Sequence, residues 1–433
     1  MQIDSELYLS VRERIFDAIS IDMIHELSKK ELYSQIKSAV NLMSEQAKYP
    51  IASNLRDELS SLLTDEFSGL GPIQPLLDDP EVSEVMVNSP KHIFVEKRGK
   101  IGQAQASFVN EDQVVQIAKR IANTVGRRVD ETSPMVDARL SDGSRVNIVL
   151  SPITLDGTTI TIRKFPKFSL DLEAMVELGT MSSEMANLLM IVARCKLNII
   201  ISGGTGSGKT TLLNALSNYI DWSERIVTIE DAAELRLQQE HVVRMETRAA
   251  GIENNGAIGQ RELVINALRM RPDRIVLGEC RGGEAFEMLQ AMNTGHDGSM
   301  STLHANTPRD AIHRLESMVM MANLNQPLNA IRRAIVSAVN VVIQISRLRD
   351  GSRKVVSIAE VVGLEGDSVV MDELYRYDQD ETKNDLNNSE AKPQLGRFVT
   401  NGISQSSEIY QRASYYGLSE ALLETFERAR DRV

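Results

Sequence analysis

A glycine-rich segment near the middle of the chain constrains the fold more than any other feature. Residues 203–210 read GGTGSGKT and match the pattern GxxxxGK[ST] without a mismatch. The run NIIIS precedes them and LLNAL follows, so a strand leads into the segment and a helix leads out. Glycines let backbone N–H groups converge on phosphate oxygens, and the helix N-terminus favours the same anion. The segment predicts a phosphate-binding loop, with a glycine-rich turn that binds no ligand as the alternative.

The polar side chains of this loop predict the cofactors. The Lys209 ammonium can reach the β- and γ-phosphates of a nucleotide, and the Thr210 hydroxyl can ligate Mg²⁺. We therefore expect ATP and Mg²⁺. The residues expected to contact the nucleotide here are Gly203, Gly204, Thr205, Gly206, Ser207, Gly208, Lys209, Thr210 and Thr211.

The region around the loop alternates between strand-like and helical patterns. Strand-like runs occur at LNIIIS (197–202), RIVTIE (225–230) and RIVLGE (274–279), with helical stretches between them. This alternation is typical of a mainly parallel sheet covered by helices on both faces. The sequence therefore predicts an α/β domain at residues 169–378.

Helical periodicity dominates residues 1–70. Apolar residues recur at helical spacing in two groups, the second after an expected N-cap at Ser53. The groups are Leu32, Ile36, Val40 and Met43, then Leu55, Leu59 and Leu62. A helical bundle is predicted, and a partner can dock on its surface in addition.

In residues 71–168 the helical periodicity gives way to short segments in which apolar and polar residues alternate, as in strands. Asp-Gly pairs at 142–143 and 156–157 are turn signals between apolar runs. One helix interrupts them, with the apolar stripe Val114, Val115, Ala118, Ile121 and Ala122. The pattern predicts a small α+β domain.

The last part of the chain divides into a polar stretch and a helical tail. Residues 379–394 are polar and charged, with Leu386 as their one large apolar side chain, and predict a flexible linker. Residues 395–433 predict a small appended element, since Leu418, Leu422, Phe426, Ala429 and Val433 share one helical face.

Composition excludes several classes. With 433 residues the chain suggests two or three domains, and its net charge of −12 argues against a surface attracted as a whole to nucleic acid or anionic lipid. Two cysteines exclude a disulfide framework and a tetrathiolate zinc site. The start lacks a signal pattern, and no apolar run approaches the ~18 residues that span a bilayer. We expect a cytoplasmic protein that associates with membranes only through partners.

Carboxylates follow two of the predicted strands. Glu230 and Asp231 end one, and Glu279 ends another. Ligands bind at the carboxyl edge of such sheets, so these residues are candidates for metal binding or for activation of water. The alternative is that each caps a helix.

Histidines and arginines supply the remaining candidates. His296 and His304 lie in a Gly/Ser/Thr-rich stretch and either sense the γ-phosphate or satisfy a helix end or a loop carbonyl. Arginines cluster at 127, 128, 139, 145 and 163. Arg145 and Arg163 are expected to act on a transferring phosphoryl group, which raises the rate by about 10³–10⁵. The alternative is a solvated strand face.

Four segments together resemble the type II/IV secretion-system ATPase superfamily. They are GGTGSGKT (203–210), IEDAAEL (229–235), LGECRGGEA (277–285) and TGHDGSMSTLHAN (294–306). Within it, ALRMRPDRIVLGECRGGEAFEMLQAMNTGHDGS, VDARLSDGSRVNIVL and SRLRDGSRKV are similar to the Tad/Flp pilus-assembly ATPases of the CpaF type. The resemblance covers roughly residues 70 to 375 and implies a RecA-like ATPase domain after a PAS-like middle domain.

The resemblance also implies roles. Glu230 is then the catalytic carboxylate, Glu279 helps to hold Mg²⁺, and His304 senses the γ-phosphate with His296 beside it. Arg145 and Arg163 act on the nucleotide from the middle domain. The family forms hexameric rings that drive pilin extraction or translocation through an inner-membrane platform protein.

Two departures and several alternatives accompany this interpretation. The tetracysteine zinc element of many type II members is absent, and glutamate replaces aspartate at the second acidic strand. A type IV secretion motor for protein or DNA is the nearest alternative. A slow nucleotide-dependent switch and a nucleic-acid translocase are others, although no direct nucleic-acid contact is expected.

Overall fold

Helices open the chain where their periodicity predicts them. They are α1 (Ser5–Ala18), α2 (Lys29–Gln46) and α3 (Ser53–Ser68). The computed structural model describes residues 5–18, 27–46, 51–97, 99–165, 170–248, 256–322, 326–379 and 396–431. Leu32, Ile36, Val40 and Leu59 are buried in a common core. The helical prediction is therefore confirmed.

The start of α3 differs from prediction, and the start of α2 is capped by side chains. Ser53 is the first residue of α3 rather than its cap, and Ala52 at the cap position has no side chain that can accept a hydrogen bond. At the start of α2, Ser28 and Glu31 form a capping box: Ser28 N donates to Glu31 Oε2, and Glu31 N donates to Ser28 Oγ.

The chain folds as two compact units, Met1–Lys167 and Phe168–Val433. The first holds both the helices of residues 1–70 and the α+β region 71–168, and their division into two domains stays a prediction. After the 3₁₀ helix Gly71–Ile73 come α4 (Gln74–Asp78), β1 (Val82–Ser89), β2 (His92–Lys97), β3 (Lys100–Gln103), α5 (Glu111–Thr124), β4 (Met135–Arg139), β5 (Arg145–Val149) and β6 (Thr159–Arg163).

An antiparallel sheet dominates this α+β region. Its six strands within the described ranges are ordered β3-β2-β1-β6-β5-β4. The two Asp-Gly pairs lie between β4 and β5 and between β5 and β6, where the turn signals predict them. Four residues of the predicted stripe of α5 pack on one face of the sheet together with Ile117, whereas Val115 is half-buried outside this core. Polar side chains occupy the other face of the sheet.

The second unit is built on a mainly parallel sheet. Its elements are α6 (Leu172–Glu177), α7 (Ser183–Arg194), β7 (Ile199–Gly203), α8 (Lys209–Ser217), β8 (Ile226–Glu230), β9 (Val242–Glu246), α9 (Gln260–Ala267), β10 (Arg274–Leu277), α10 (Glu284–Asn293), β11 (Met300–Leu303), α11 (Pro308–Ala322), α12 (Leu328–Ala338), β12 (Val341–Arg347), β13 (Arg353–Glu365), β14 (Ser368–Gln379), β15 (Gly396–Thr400), α13 (Glu408–Tyr415) and α14 (Ser419–Asp431).

The strand order of this sheet is β15-β14-β13-β12-β7-β11-β10-β8-β9 over the part of the unit that the structure describes. All pairs from β12 to β9 are parallel, and β13 to β15 extend the sheet in antiparallel fashion. Ile199 and Ile201 belong to one core and Ile200 to another, so helices cover both faces. The predicted α/β fold is confirmed.

The tail is part of this core rather than an appendage. β15 pairs with β14, and Leu422 and Phe426 of α14 are buried in the same core as β7. Phe426 stacks on Tyr375 with ring centroids 5.2 Å apart. The predicted linker lies outside the described residues except for Gln379, which ends β14.

Within the described ranges, no helix is both long enough and apolar enough to cross a bilayer.

Candidate functional site

The glycine-rich segment forms a loop between β7 and α8. Gly208 has a φ of +102°, in the left-handed region that glycine favours. A Cβ on Gly203 would lie 2.3 Å from the carbonyl oxygen of Ile345, so β12 passes too close for any side chain there. The loop therefore needs glycine at these two positions for different reasons, one conformational and one steric.

Lys209 folds back onto the loop that carries it. Its Nζ donates to the carbonyl oxygens of Gly203 and Gly204, both at 3.0 Å, and lies 3.4 Å from His304 Nε2. Lys209 is buried, and a buried ammonium is costly unless it is compensated. Phosphate oxygens can take over the role of these carbonyls.

The remaining loop residues differ in exposure. Thr205 is exposed, Thr210 and Thr211 are half-buried at the start of α8, and Ser207 is buried with no hydrogen-bond partner for its Oγ. At Gly206 the carbonyl accepts a hydrogen bond from Arg353 Nε at 3.0 Å. The predictions did not include Arg353, although the quoted motif SRLRDGSRKV contains it.

Glu230 ends β8 as a buried carboxylate. Its Oε1 accepts hydrogen bonds from the backbone N–H groups of Glu234 and Leu235, at 2.7 and 2.9 Å, whereas its buried Oε2 has no partner. Burial raises the pKa of Glu230 to about 7, against the two backbone hydrogen bonds that lower it. A carboxylate with a pKa near neutrality is suited to accept a proton.

Glu279 lies two residues beyond β10, because the strand ends at Leu277 rather than at the predicted position. His304 Nε2 lies 2.8 Å from Glu279 Oε1. Arg281 Nε donates to Glu279 Oε2 at 2.8 Å, and Arg281 Nη1 donates to Asp231 Oδ2 at 3.2 Å. The carboxyl ends of β8, β10 and β11 thus bring together three predicted residues and an arginine that was not predicted.

The charge state of His304 follows from its neighbours. Burial and the nearby Lys209 lower the pKa of His304, and Glu279 opposes them. The lowered pKa favours the neutral imidazole, in which one ring nitrogen donates a hydrogen bond and the other accepts one.

His296 lies at the other edge of the sheet. It precedes β11 whereas His304 follows it, so the strand separates the two histidines. The backbone N–H of His296 donates to the carbonyl of Ala291 at 3.3 Å, and its Nδ1 lies 3.2 Å from the same oxygen, which ends α10. The prediction that His296 contacts the nucleotide is not supported for the loop of its own chain, and the capping alternative describes its position.

Arg145 and Arg163 lie in the first unit on the polar face of its sheet. They are directly opposite each other on β5 and β6, and Arg139 is opposite Arg145 on β4. We call these three the arginine row. Glu84 of β1 follows opposite Arg163 and bears the nearest negative charge along this register. Like charges at directly opposed positions disfavour a sheet.

The residues of the loop fit a magnesium ion held with a nucleotide. Mg²⁺ takes few protein ligands, typically one or two carboxylates together with phosphate oxygens and water. The chain offers the Thr210 hydroxyl at the start of α8 and the Glu279 carboxylate, and no group of three or more His, Cys, Asp or Glu within the described ranges forms a separate metal site.

Comparisons with known proteins cover the same region. The family described as type II/IV secretion system protein matches residues 66–399. A protein of Mycobacterium tuberculosis named for conjugal transfer is 36% identical over 322 residues, 73% of this chain and 90% of its own length. The type IV secretion system protein VirB11 of Bartonella quintana is 31% identical over 325 residues, 67% of this chain and 91% of its own length. The structure of the Brucella suis VirB11 ATPase in complex with sulphate is 28% identical, covers 67% of this chain and 95% of its own, and has a TM-score of 0.37.

Proposed function

The chain belongs to the family of type II/IV secretion system proteins, and we propose that it hydrolyses Mg·ATP to drive a pilus-assembly or secretion machine. The cluster around Lys209 carries this proposal. A complete phosphate loop, a neutral histidine and carboxylates at neighbouring strand ends lie at one edge of a parallel sheet. This is where ligands bind in folds of this type.

The loop and its lysine bind the phosphates. The backbone N–H groups of the loop and the N-terminus of α8 favour the anion, and Lys209 exchanges its two carbonyl acceptors for phosphate oxygens. Thr210 and Glu279 hold Mg²⁺, directly or through water. When bound, the ion draws charge from the phosphoryl group that is transferred.

Glu230 activates the attacking water. Its free Oε2 and its pKa of about 7 support this role, because a base works best when its pKa is near the operating pH. His304, neutral and 3.4 Å from the Lys209 ammonium, reports the presence of the γ-phosphate to β11.

A homo-hexameric ring completes the proposal, with Arg145 and Arg163 supplying positive charge to the nucleotide. The arginine row supports it, since three guanidinium groups in register bring together positive charge of the kind that binds phosphate oxygens. We propose that the ring lies at the inner membrane and acts on a platform protein there.

Two machines are candidates. The motif resemblance favours a Tad/Flp pilus, whereas relatives named for conjugal transfer and for type IV secretion favour translocation of protein or DNA. With a net charge of −12 the chain is not expected to contact DNA over its surface. Salt-sensitive stimulation of ATP turnover by DNA would instead favour a DNA translocase.

The experiment that tests the proposal measures ATP turnover per protomer against protein concentration. Lys209→Ala is the blank and is expected to show no turnover, since its phosphate anchor is lost. Wild-type turnover should rise steeply with concentration, because sites completed between subunits need a ring. Flat turnover together with a monomeric mass would contradict the ring, and turnover no higher than the blank would contradict the ATPase.

A further inference from the structure

Arg281 bridges the two acidic segments of the site. Its guanidinium contacts Glu279 through Nε at 2.8 Å and through Nη2, and it contacts Asp231 through Nη1 at 3.2 Å. The side chain of Arg281 is 58% exposed, whereas that of Glu279 is 19% exposed. The arginine therefore reaches inward from the surface and covers a carboxylate that is mostly out of water.

The backbone around Arg281 is held by three hydrogen bonds. Cys280 N donates to the carbonyl of Thr302 in β11 at 2.7 Å. The N–H groups of Arg281 and Gly282 both donate to Glu284 Oε1, at 2.6 and 2.7 Å. These contacts hold the backbone but do not fix the side-chain torsions of Arg281. The guanidinium can move while its point of attachment stays in place.

The charges around Arg281 show what the contact does. Without nucleotide, Glu279 and Asp231 carry two negative charges, and Arg281 offsets part of them through hydrogen bonds from a charged donor. A divalent cation held by Glu279 takes over this neutralisation. The cation and the guanidinium are both positive and compete for the same carboxylate oxygens.

We propose that Arg281 is an exchangeable cation, which occupies Glu279 in the nucleotide-free chain and is displaced from it when a Mg²⁺-nucleotide binds. The proposal rests on the proposed function, because it assigns Glu279 to the metal. Arg281 is then a positioning residue: it keeps the carboxylate oriented and neutralised until the metal arrives. Arg281 also reduces how much Mg²⁺ strengthens nucleotide binding, since the Arg281–Glu279 ion pair must be broken before the metal can bind.

The experiment is calorimetric titration of ADP into the full-length protein, once with excess EDTA and once with Mg²⁺. No turnover is involved. The quantity compared is the ratio of the two dissociation constants, which measures how much Mg²⁺ improves ADP binding. In Arg281→Gln this ratio should rise about fivefold over wild type, the size expected for a partly exposed ion pair. Binding in EDTA weakens because Glu279 loses its guanidinium partner beside the phosphates and keeps only His304, and binding with Mg²⁺ strengthens because no guanidinium competes.

Two further variants sharpen the result. Arg281→Lys keeps the charge but not the fork that spans two carboxylates, so its ratio should lie between wild type and Arg281→Gln. Arg376→Gln is the matched control. It removes an arginine of similar exposure that pairs with Asp378 on β14, and its ratio should equal that of wild type.

The outcomes separate the two proposals. A wild type that binds Mg·ADP, with the same ratio in Arg281→Gln, would overturn the exchange and leave the nucleotide site intact. An equal rise in Arg376→Gln would overturn it as well, since the effect would then come from net charge alone. If the wild type binds ADP no better than Lys209→Ala in either condition, the nucleotide site itself is wrong and the exchange falls with it.

Discussion

The two sheets of this chain hold their charged side chains in different ways. In the antiparallel sheet of the first unit, Arg139, Arg145 and Arg163 lie directly opposite one another, each at the end of its strand. In the parallel sheet of the second unit, Glu230 and Glu279 lie at or just beyond the ends of strands. One arrangement stacks like charges across strands, whereas the other collects opposite charges at one edge.

The charged residues of the two sheets also differ in the groups that surround them. Glu230 is reached by backbone N–H groups of the following loop, and Glu279 is reached by the cation of a neighbouring residue. In the arginine row, Glu84 lies opposite Arg163, and Arg139 Nε donates to the carbonyl of Gly143. Like charges directly opposed on neighbouring strands disfavour a sheet, so the row gathers positive charge at some cost. The proposed function assigns that charge to an anionic ligand.

The largest expected effect is on the arginine row. Arg163→Ala should lower ATP turnover on the order of 10³-fold, because it removes positive charge from the transferring phosphoryl group. The free energy of unfolding in urea should change by less than about 0.5 kcal/mol, since repulsion by Arg145 is lost together with attraction to Glu84. Arg128→Ala, an arginine of the same unit outside the row, is the control and should keep wild-type turnover. Full ATP turnover in Arg163→Ala would contradict the proposed role of the arginine row.

The next effect concerns the strand end that carries Glu279. Glu279→Gln should slow turnover about 10²-fold, because a neutral amide is a poor partner for Mg²⁺ in the transition state. The dissociation constant for Mg·ADP should change by less than about fivefold, since Lys209 and the loop still hold the phosphates. Asp231→Asn is the matched control, as it removes a charge from the same arginine and should retain most of the turnover. A Glu279→Gln enzyme at full rate would show that the metal is held elsewhere.

The smallest effect is a pH dependence due to Glu230. Its carboxylate is the active form and its pKa is about 7, so kcat/KM should fall about tenfold for each pH unit below 7 and be flat above it. Glu230→Gln should be slow and lack this limb, and Glu360→Gln, which alters another buried glutamate whose pKa is raised by burial, should retain it. A wild-type profile with no limb near 7 would contradict the role of Glu230.

The same titration affects folding in the opposite sense. The folded pKa of Glu230 lies above the unfolded value of 4.5, so the folded chain binds more protons between these two pH values. The contribution of Glu230 to stability therefore falls as pH rises from about 4.5 to about 7, while activity increases over the upper part of the same range. Urea unfolding of wild type and Glu230→Gln across this range measures the difference.

Much of the fold follows from local patterns in the sequence. The helices of residues 1–70, the turns at the two Asp-Gly pairs and the strands that flank the loop are where periodicity and turn residues predict them. The sequence does not predict β11, because Met300–Leu303 is only four residues long and two of these residues, Ser301 and Thr302, have hydroxyl side chains. Yet it lies between β7 and β10 in the middle of the sheet and brings His304 to Lys209.

The candidate site was predicted in part for the same reason. Residues whose chemistry is contained in one segment, such as the loop and Glu230, could be identified from that segment. The sequence gives no sign that Arg281 pairs with Glu279 and Asp231, since only the fold places it between them. His296 and His304 are close in sequence, but β11 separates them in the structure.

Local chemistry in the sequence was thus sufficient to predict the glycine-rich loop between β7 and α8, because the glycines, a lysine and a helix start are all encoded within eight residues. It also determined the class of the fold, because the period of apolar residues reports which faces are buried. Tertiary structure decided the strand order, which charges meet and which histidine reaches the loop. These depend on contacts between segments far apart in sequence, whose pairing is selected by burial of the whole sheet and not by any one segment.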